Sequence, residues 1–355
     1  MLLSIQVMTF SKKILLWYSE NKRSLPWRNT TDPYRIWLSE IMLQQTRVAQ
    51  GTPYYIKFIE EFPTVYDLAD ASEEKVLKLW QGLGYYSRAR NLHFTANKIV
   101  EEYNGNFPDT YEELLKLKGV GDYTASAIAS ISYNRPEPVV DGNVYRVLSR
   151  YFGVDMPINA SEGIAYFKNL ARNVLSSENI RDYNQGIMEF GAIQCAPKKP
   201  LCLSCPLNET CVALHTNSID KYPVKLKKAK VKRRFFNYLV VLDEDRNTHL
   251  IKRSGKDIWQ NLYEFPLLEA REEIGLKEVK QRLPEILTLE EPPLIYESSD
   301  KTIVHKLSHQ HLYTKFWIVK TSDSLADGLS PAELDKFPVP VLIADFIKTL
   351  KNSYF

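Results

Sequence analysis

Apolar residues in the first two thirds of the chain recur with helical spacing. From residue 11 to about 218 they return every three or four positions, and short connections carrying Gly or Pro interrupt them. Ser72 is a predicted helix N-cap ahead of one such stretch. Asp32 and Pro33 predict the start of another helix, and the pattern carries that helix to about Val48. The sequence therefore predicts an all-α first region.

The last third of the chain has a mixed pattern. Residues 236–242 and 249–252 flank a polar turn and predict a β-hairpin. Residues 312–319 alternate between apolar and polar side chains, as a half-buried strand does, and residues 341–350 have helical spacing. This region is predicted to be a smaller α+β domain.

A strongly basic stretch, KYPVKLKKAKVKRR, separates the two patterns. Its simplest interpretation is a solvated linker, although such a linker gains free energy by lying along phosphates. The predicted organisation is a helical domain at residues 1–218, a basic linker at 219–234 and an α+β domain at 235–355.

Composition narrows the class of protein. The 355 residues suit two or three domains, and the formal net charge of +3 does not by itself indicate a polyanionic partner. No apolar run has the length of a membrane span, and the start lacks the features of a signal peptide. We expect a cytoplasmic monomer that does not bind membranes. Met8 is as plausible a start as Met1, so translation of residues 1–7 stays open.

The four cysteines of the chain are the most specific signal in the sequence. They lie at Cys195, Cys202, Cys205 and Cys211. Without an export signal, a metal or cluster site is a better interpretation than disulfides. A structural zinc site usually pairs two Cys-x-x-Cys knuckles and only one is present, whereas a [4Fe–4S] cluster tolerates uneven spacing. Chemistry alone leaves zinc and iron–sulfur open.

Two carboxylates stand in contrasting contexts. Glu40 shares a helix stripe with Ile36 and Leu43, so its pKa should rise if it is buried, unless it reaches water or an arginine at the edge of that stripe. Asp141 precedes an apolar helical pattern, where backbone N–H groups favour the ionised form, and a plain N-cap explains it equally well. One neutral and one ionised carboxyl is the pair that glycosidic cleavage needs.

A glycine-containing turn, which lies between Glu40 and Asp141 in the sequence, joins two predicted helices. Thr110 and Glu113 form a capping-box pattern, and Gly119 and Gly121 permit a tight turn before a helix that starts at about Tyr123. Free N–H groups at that start form an anion site, although an ordinary tight turn fits the same residues.

Several motifs together resemble the adenine DNA glycosylase family of the MutY type, within the helix–hairpin–helix DNA glycosylase superfamily. They are LPWR at 25–28, WLSEIMLQQT at 37–46, GLGYYSRAR at 82–90, VDGNV at 140–144 and the cysteine loop at 195–211. The resemblance implies a multidomain fold: an all-α glycosylase core with the helix–hairpin–helix at about 111–131 and a [4Fe–4S] loop, followed by a smaller α+β Nudix-like domain. It also implies a duplex DNA partner containing adenine opposite 8-oxoguanine or guanine.

The resemblance implies catalytic roles for four residues. Glu40 protonates adenine at N7, Asp141 stabilises the sugar cation or a covalent intermediate with Asn143 beside it, and Tyr123 positions groups at the reacting centre. The expected reaction is base flipping followed by hydrolysis of the N-glycosidic bond.

The same resemblance implies a set of DNA contacts. Arg28 lies near the flipped adenine, where a surface ion pair is the simpler interpretation, and Gln45 and Tyr85 enter the base stack. The hairpin amides hold a DNA phosphate, with a possible monovalent cation, through Lys118, Gly119, Val120 and Gly121. The family's usual proline is Lys118 in this sequence, which leaves the amides intact and adds a charge.

The C-terminal domain of the family reads the oxidised guanine through a Phe-Ser-His loop. The matching residues here are Leu307, Ser308 and His309, so the aromatic is missing while both polar groups remain. A metal site of His305, His309 and His311 is a poor alternative because no acidic or thiol partner is adjacent. The incomplete glutamate pattern at 272–275 predicts no pyrophosphatase activity.

Two rival functions stay open in the sequence. An endonuclease III-like glycosylase and lyase acting on oxidised pyrimidines shares the hairpin and the cluster, but such enzymes have a lysine nucleophile where this chain has Tyr123. A non-catalytic DNA-binding protein with a structural metal is the other rival, and the presence of both Glu40 and Asp141 argues against it.

Overall fold

The computed structural model describes residues 2–176, 178–227 and 231–354 of the chain. Its backbone contacts divide it into two compact units, taken here over their described residues. Unit 1 comprises Met1–Asp70 and Asn91–Lys227, and unit 2 comprises Ala71–Arg90 and Lys228–Phe355. No helix within the described ranges combines the length and apolar character needed to cross a bilayer.

Most α-helices of the described residues precede the strands, as predicted, while two α-helices lie among or after the strands. The α-helices are α1 (Leu2–Asn21), α2 (Pro33–Leu43), α3 (Val48–Glu61), α4 (Val65–Asp70), α5 (Glu73–Leu79), α6 (Ser87–Tyr103), α7 (Tyr111–Leu114), α8 (Asp122–Tyr133), α9 (Gly142–Phe152), α10 (Ser161–Val174), α11 (Ile180–Glu189), α12 (Val212–His215), α13 (Leu276–Arg282) and α14 (Val341–Tyr354). The strands are β1 (Lys232–Leu242), β2 (Ile251–Lys252), β3 (Tyr263–Glu264), β4 (Leu267–Ala270), β5 (Leu294–Glu297), β6 (Ile303–Lys306) and β7 (Gln310–Lys320).

Helix α8 lies at the centre of unit 1, in contact with α2 and α11. Its buried side chains are mostly small and include Ala125, Ser126, Ala127 and Ala129. Small side chains let helix axes approach closely, so α2 and α11 can both pack against this helix. The hairpin and the first turn of α8 are thereby fixed beside α2.

The start of α2 follows the prediction, but its end does not. The Asp32 side chain accepts a hydrogen bond from the Tyr34 N–H at 2.9 Å, with Pro33 at the first helical position. The helix ends at Leu43 rather than near Val48, because Gln45 adopts a left-handed backbone with a φ of 56°. The apolar periodicity continues through this break because α3 begins at Val48.

The sheet of unit 2 has the strand order β4-β1-β7-β5, with β6 also paired to β7. Strands β1 and β7 are parallel, while the other pairs in this sheet are antiparallel. One face packs against α13, and on the other face Phe316 stacks on Phe346 of α14 with ring centroids 3.7 Å apart. The predicted strand at 312–319 and the predicted helix at 341–350 are confirmed.

The hairpin predicted from residues 236–242 and 249–252 is wrong. Strand β1 pairs with β4 and β7, whereas β2 pairs with β3. Local alternation identifies a strand but carries no information about its partner when both faces of the sheet are covered.

Residues 71–90 belong with unit 2, although their helical pattern had grouped them with the first domain. The Lys78 ammonium donates to the Phe337 carbonyl at 2.9 Å, and the Arg90 guanidinium donates to the Gln260 carbonyl at 2.8 Å. At the other boundary, the Ile158 N–H donates to the Val224 carbonyl at 3.0 Å, so the first part of the expected linker packs on unit 1. Residues 228–230 of that linker lie outside the described residues.

Candidate active site

A cavity of about 180 Å³ opens in unit 1. It brings together side chains from distant parts of the chain: Arg28, Glu40, Tyr123, Asp141, Asn143 and Glu189. These residues come from a 3₁₀ turn, from α2, from the first turns of α8 and α9 and from the end of α11. The predicted catalytic residues and Arg28 thus share one pocket.

Glu40 is buried on the inner face of α2, with 6% of its surface exposed. The Tyr123 hydroxyl donates to Glu40 Oε2 at 2.5 Å. Burial raises the pKa of Glu40 to about 7, although the hydrogen bond from Tyr123 opposes this rise. The predicted rise is confirmed, and the alternative of a glutamate reaching water at the edge of the helix is wrong. Glu40 can therefore hold a proton near neutral pH.

Tyr123 occupies the first turn of α8, directly after the hairpin. Burial and the neighbouring Glu40 carboxyl raise the pKa of Tyr123 well above its usual value, so the phenol keeps its proton. Its hydroxyl also lies 3.3 Å from Met188 Sδ. The phenol is consequently a fixed donor to Glu40 rather than a base.

Asp141 is the N-cap of α9, as predicted. Its Oδ1 accepts hydrogen bonds from the N–H groups of Asn143 and Val144 at 2.9 and 2.8 Å, and its Oδ2 accepts from Asn143 Nδ2 at 2.7 Å. These donors favour the ionised form of Asp141, as expected, but they do not decide the net shift of its pKa. Burial raises the pKa of Asp141, and the three donors with Arg146 offset only part of that rise.

Arg146 links the Asp141 cap to the cysteine loop. Its Nη2 donates to Asn143 Oδ1 at 2.8 Å and to the Gly191 carbonyl at 2.6 Å. Its Nε donates to the Cys195 carbonyl at 2.8 Å. A chain of hydrogen bonds therefore runs from the Asp141 carboxylate through Asn143 and Arg146 to the loop that carries the cysteines.

Glu189 is a pocket residue that the sequence analysis missed. Its carboxylate is inaccessible to solvent and accepts from Arg28 Nη2 at 2.7 Å and from Arg23 Nε at 2.6 Å. Burial opposes ionisation, yet the two guanidinium groups hold the pKa of Glu189 at about 2. The ion pair expected for Arg28 exists, but it lies inside the pocket. The sequence did contain a signal for Glu189, since it is a lone acidic residue between the apolar residues Met188 and Phe190.

The hairpin before α8 has the predicted tight turn. Gly119 has a φ of 83°, and a Cβ at this position would lie 2.9 Å from Asn91 Cβ, so glycine is needed for both reasons. Gly121 is the N-cap of α8 and has no side chain to satisfy the first N–H groups. The Lys118 ammonium lies 4.2 Å from the centroid of the Phe94 ring. The first helix of the motif is short, because α7 ends at Leu114.

Gln45 in unit 1 and Tyr85 in unit 2 share an unusual backbone conformation. Gln45 has a φ of 56° and Tyr85 a φ of 51°, and both side chains are exposed. A left-handed residue other than Gly, Asn or Asp is uncommon and carries strain, which is often found where a side chain must be presented for function. The Arg88 guanidinium lies 5.4 Å from the centroid of the Tyr85 ring.

Unit 2 contains its own cavity of about 390 Å³. The turn between β6 and β7 forms part of its wall through Leu307, Ser308 and His309, and Tyr85 and Trp259 also line it. Ser308 and His309 are exposed, and Ser308 Oγ lies 3.3 Å from His309 Nδ1. The predicted reading residues and Tyr85 therefore border one cavity.

The four cysteines, Cys195, Cys202, Cys205 and Cys211, lie near enough to one another to interact electrostatically. All four are half-buried, and Cys202, Cys205 and Cys211 have raised pKa values because of burial and the neighbouring sulfurs. The Arg150 Nη1 donates to Cys195 Sγ at 3.5 Å. Backbone N–H groups of residues 207, 213 and 214 are also directed at Cys205 or Cys211. Cationic and N–H donors around four thiols suit a centre of net negative charge.

Known proteins share this arrangement of domains. The family model for HhH-GPD superfamily base excision DNA repair proteins matches residues 38–181, and a NUDIX domain model matches residues 237–349. The adenine DNA glycosylase of Buchnera aphidicola from Acyrthosiphon pisum is 38% identical over 274 residues, covering 76% of this chain and 78% of that protein. The chain belongs to the adenine DNA glycosylase family. The predicted resemblance and fold class are thereby confirmed.

Other known proteins match a smaller part of this chain. The mouse adenine DNA glycosylase is 44% identical over 216 residues, covering 58% of this chain and 42% of the mouse protein. The solved structure of a thermostable thymine-DNA glycosylase, 31% identical, covers 58% of this chain and 95% of its own with a TM-score of 0.55. The solved structure of a non-covalent endonuclease III–DNA complex is 21% identical in sequence to this chain. The match covers 60% of this chain and 97% of that chain with a TM-score of 0.53, which shows that the two share a fold.

Proposed function

We propose that this protein is a base-excision repair enzyme that hydrolyses the N-glycosidic bond of adenine mispaired with 8-oxoguanine or guanine in duplex DNA. The observation that carries the proposal is the pair of carboxyls in one cavity, buried Glu40 with a pKa of about 7 and half-buried Asp141 with three N–H donors. Family membership supplies adenine as the expected base.

Excision begins when the adenine leaves the base stack and enters the cavity of unit 1. Protonated Glu40 donates its proton to N7 of the base, and Tyr123 keeps the carboxyl oriented through its 2.5 Å hydrogen bond. The electron pair of the C1′–N9 bond then goes to the adenine ring as the bond breaks. Water adds to C1′ and loses a proton, which completes the hydrolysis.

Asp141 stabilises the positive charge that develops on the deoxyribose. Its carboxylate accepts only N–H donors, from Asn143 and Val144, and these favour its ionised form against the effect of burial. A carboxylate fixed by three hydrogen bonds needs no reorganisation when the cation forms, which is the most effective kind of electrostatic stabilisation. The same group can form a covalent bond to C1′ before water replaces it.

Recognition of the opposite base is assigned to unit 2. Ser308 can donate and accept, which suits the edge of 8-oxoguanine, where N7 carries a proton beside a new oxygen. His309 supports that contact, and Leu307 serves as an apolar wedge. The left-handed backbones of Gln45 and Tyr85 support their role as side chains that enter the base stack.

The hairpin at Lys118, Gly119, Val120 and Gly121 holds a DNA phosphate through the free N–H groups at the start of α8, together with a monovalent cation. Lys118 adds a positive charge that is paired with the Phe94 ring in the free protein. We place the protein as a monomer in the cytoplasm, associated with the nucleoid if the source is bacterial, because its substrate is there.

A [4Fe–4S] cluster is proposed for Cys195, Cys202, Cys205 and Cys211, since the residues around these sulfurs suit an anionic centre. Only one Cys-x-x-Cys pair is present, whereas a structural zinc site usually has two, and the uneven spacing of the four cysteines suits an iron–sulfur cluster. When bound, the cluster supplies a rigid cross-link for residues 195–211. Purified protein should be brown with about four iron atoms per chain, whereas one zinc and no iron after anaerobic purification would overturn this assignment.

A duplex-nicking assay tests the proposed reaction. Adenine opposite 8-oxoguanine should be excised, and the strand should break only after alkali, because Tyr123 replaces a lyase lysine. Strand breakage without alkali, together with an adduct trapped by borohydride, would favour the endonuclease III-like rival. Binding without any excision would favour a non-catalytic DNA-binding protein.

A further inference from the structure

Asp141 reaches the pocket at the end of a segment without regular secondary structure. Residues 134–140 connect the end of α8 to the N-cap of α9. Since Tyr123 lies in the first turn of α8, the distance between Asp141 and the Glu40–Tyr123 pair depends on how this segment is held against α8. A displacement of one ångström at a reacting centre can cost about 100-fold in rate.

Lys168 on α10 contacts both pieces of chain. Its ammonium donates to the Pro138 carbonyl at 3.0 Å and to Ser126 Oγ at 2.7 Å, and it lies 3.0 Å from Asp122 Oδ1. These three acceptors account for all three N–H groups of the ammonium. The side chain is 14% exposed, so the ammonium has little water to replace a lost partner.

The contacts on α8 surround its first turn. Asp122 immediately precedes Tyr123, and the Tyr111 hydroxyl donates to the same Asp122 oxygen at 2.5 Å. The Tyr111 ring also lies 5.2 Å from the Lys168 ammonium. The contact on the other side is the carbonyl of Pro138, three residues before Asp141. The ammonium therefore joins the start of α8 to the segment that carries Asp141.

We propose that Lys168 is a positioning residue for base excision, which sets the separation of Asp141 from the Glu40–Tyr123 pair. The inference rests on the proposed function, because it assigns those residues to the reaction. Lys168 is not among the described residues that line the pocket, and its three donors are engaged, so it acts through its partners rather than on the substrate.

The segment keeps other attachments when Lys168 is changed. Asn184 on α11 donates through Nδ2 to the Glu137 carbonyl at 2.8 Å and accepts from the Val139 N–H at 3.3 Å. Loss of the ammonium should consequently shift the segment without releasing it. Arg172 offers a matched control, since it lies on the same helix and reaches Glu137 of the same segment, but only through a longer ion pair at 3.6 Å in which Arg172 is exposed.

The test compares Lys168→Met with Arg172→Met in the full-length protein on a duplex containing adenine opposite 8-oxoguanine. The readout is the single-turnover excision rate per active molecule, with the Kd for the same duplex and the pH dependence of the rate. Lys168→Met should slow excision by roughly 100-fold. Its Kd should stay unchanged, because Lys168 is absent from the described lining of the pocket. The midpoint of its pH profile should shift, because the Asp141 charge is one cause of the raised pKa of Glu40, and Arg172→Met should match the wild type.

A wild-type rate per active molecule for Lys168→Met would overturn the inference and leave Lys168 as a stabilising residue only. A DNA adduct that borohydride traps in the wild type but not in this variant would also contradict the inference, because it would show that Lys168 reacts with the substrate as a nucleophile. If Lys168→Met does not fold, Lys168→Gln takes its place and must show the same loss of rate. Absence of excision by the wild type would instead contradict the proposed function.

Discussion

The cavity of unit 1 and the cavity of unit 2 are lined by different kinds of side chain. The first is lined by buried charged groups whose pKa values are shifted, such as Glu40 and Glu189. The second has aromatic rings and an exposed turn in its wall, including Tyr85, Trp259 and Ser308, beside the charged residues Arg90, Asp257 and Lys306. Shifted pKa values are typical of catalysis, whereas aromatic and hydroxyl groups at exposed turns are typical of base recognition.

This difference predicts that the two cavities can be impaired separately. Changes in the first should lower the rate of excision and leave discrimination between duplexes intact. Changes in the second should alter the preference between 8-oxoguanine and guanine opposite adenine and leave the chemical step intact. Adenine also occurs in every normal A·T pair, so an enzyme with only the first property would damage DNA.

The largest expected effect comes from Glu40→Gln. The glutamine keeps the shape and can still accept from Tyr123, but it cannot donate an acidic proton. Single-turnover excision should fall by roughly 10²–10⁴-fold, with mismatch binding retained in a gel-shift assay. Excision at a near-normal rate would remove Glu40 from the mechanism.

Asp141→Asn should have the next largest effect. The amide keeps an oxygen for the donors from Asn143 and Val144 but loses the negative charge that stabilises the sugar cation. We expect a decrease of roughly 10²–10³-fold in excision rate, measured under single-turnover conditions. The Asn143→Ala variant is the control, because it keeps the negative charge of Asp141 and removes one of its hydrogen-bond donors. A larger decrease in excision rate for Asn143→Ala than for Asp141→Asn would contradict the electrostatic role of Asp141.

A smaller effect is expected from the double change Ser308→Ala and His309→Ala in unit 2. Loss of a good polar contact to a base edge costs about 1–3 kcal/mol of discrimination. The ratio of Kd values for the 8-oxoguanine and guanine duplexes should shrink accordingly, while the excision rate of bound 8-oxoguanine duplex stays within a few-fold. Full discrimination by this variant would move recognition elsewhere, with Gln45 and Tyr85 as the next residues to test.

The smallest effect is expected from Leu307→Ala, the control for that double variant. An apolar wedge contributes to both duplexes alike, so affinity should fall evenly and the ratio of the two Kd values should stay constant. A change in the ratio as large as that of the double variant would show that Leu307 takes part in discrimination.

Properties that depend on one residue in its own helix could be predicted from the sequence. The caps at Asp32 and Asp141 follow from spacing along a single element. The spacing also placed Glu40 on an apolar stripe, but whether that stripe is buried there was decided only by the structure. The direction of the pKa shift of Asp141 could not be predicted, because it depends on how far the effect of burial exceeds the opposite effect of three hydrogen bonds. That balance is a property of packing by other elements.

Contacts between elements that are far apart in the sequence could not be predicted. The Ala71–Arg90 segment is helical as predicted, but its bonds to residues near Phe337 and Gln260 come from more than 150 positions away. Glu189 could not be placed beside Arg28 for the same reason, since 161 residues separate them. Periodicity describes one face of an element and carries no information about its partner.

The pH dependence of single-turnover excision tests the central claim most directly. A raised pKa means that Glu40 carries its proton below about pH 7 and loses it as the pH rises through that value. The rate for adenine opposite 8-oxoguanine should therefore be high at pH 6 and fall about tenfold per pH unit above the midpoint, and Glu40→Gln should abolish this dependence. A wild-type rate that stays constant from pH 6 to pH 9, or that persists unchanged in the variant, would contradict protonated Glu40 as the general acid.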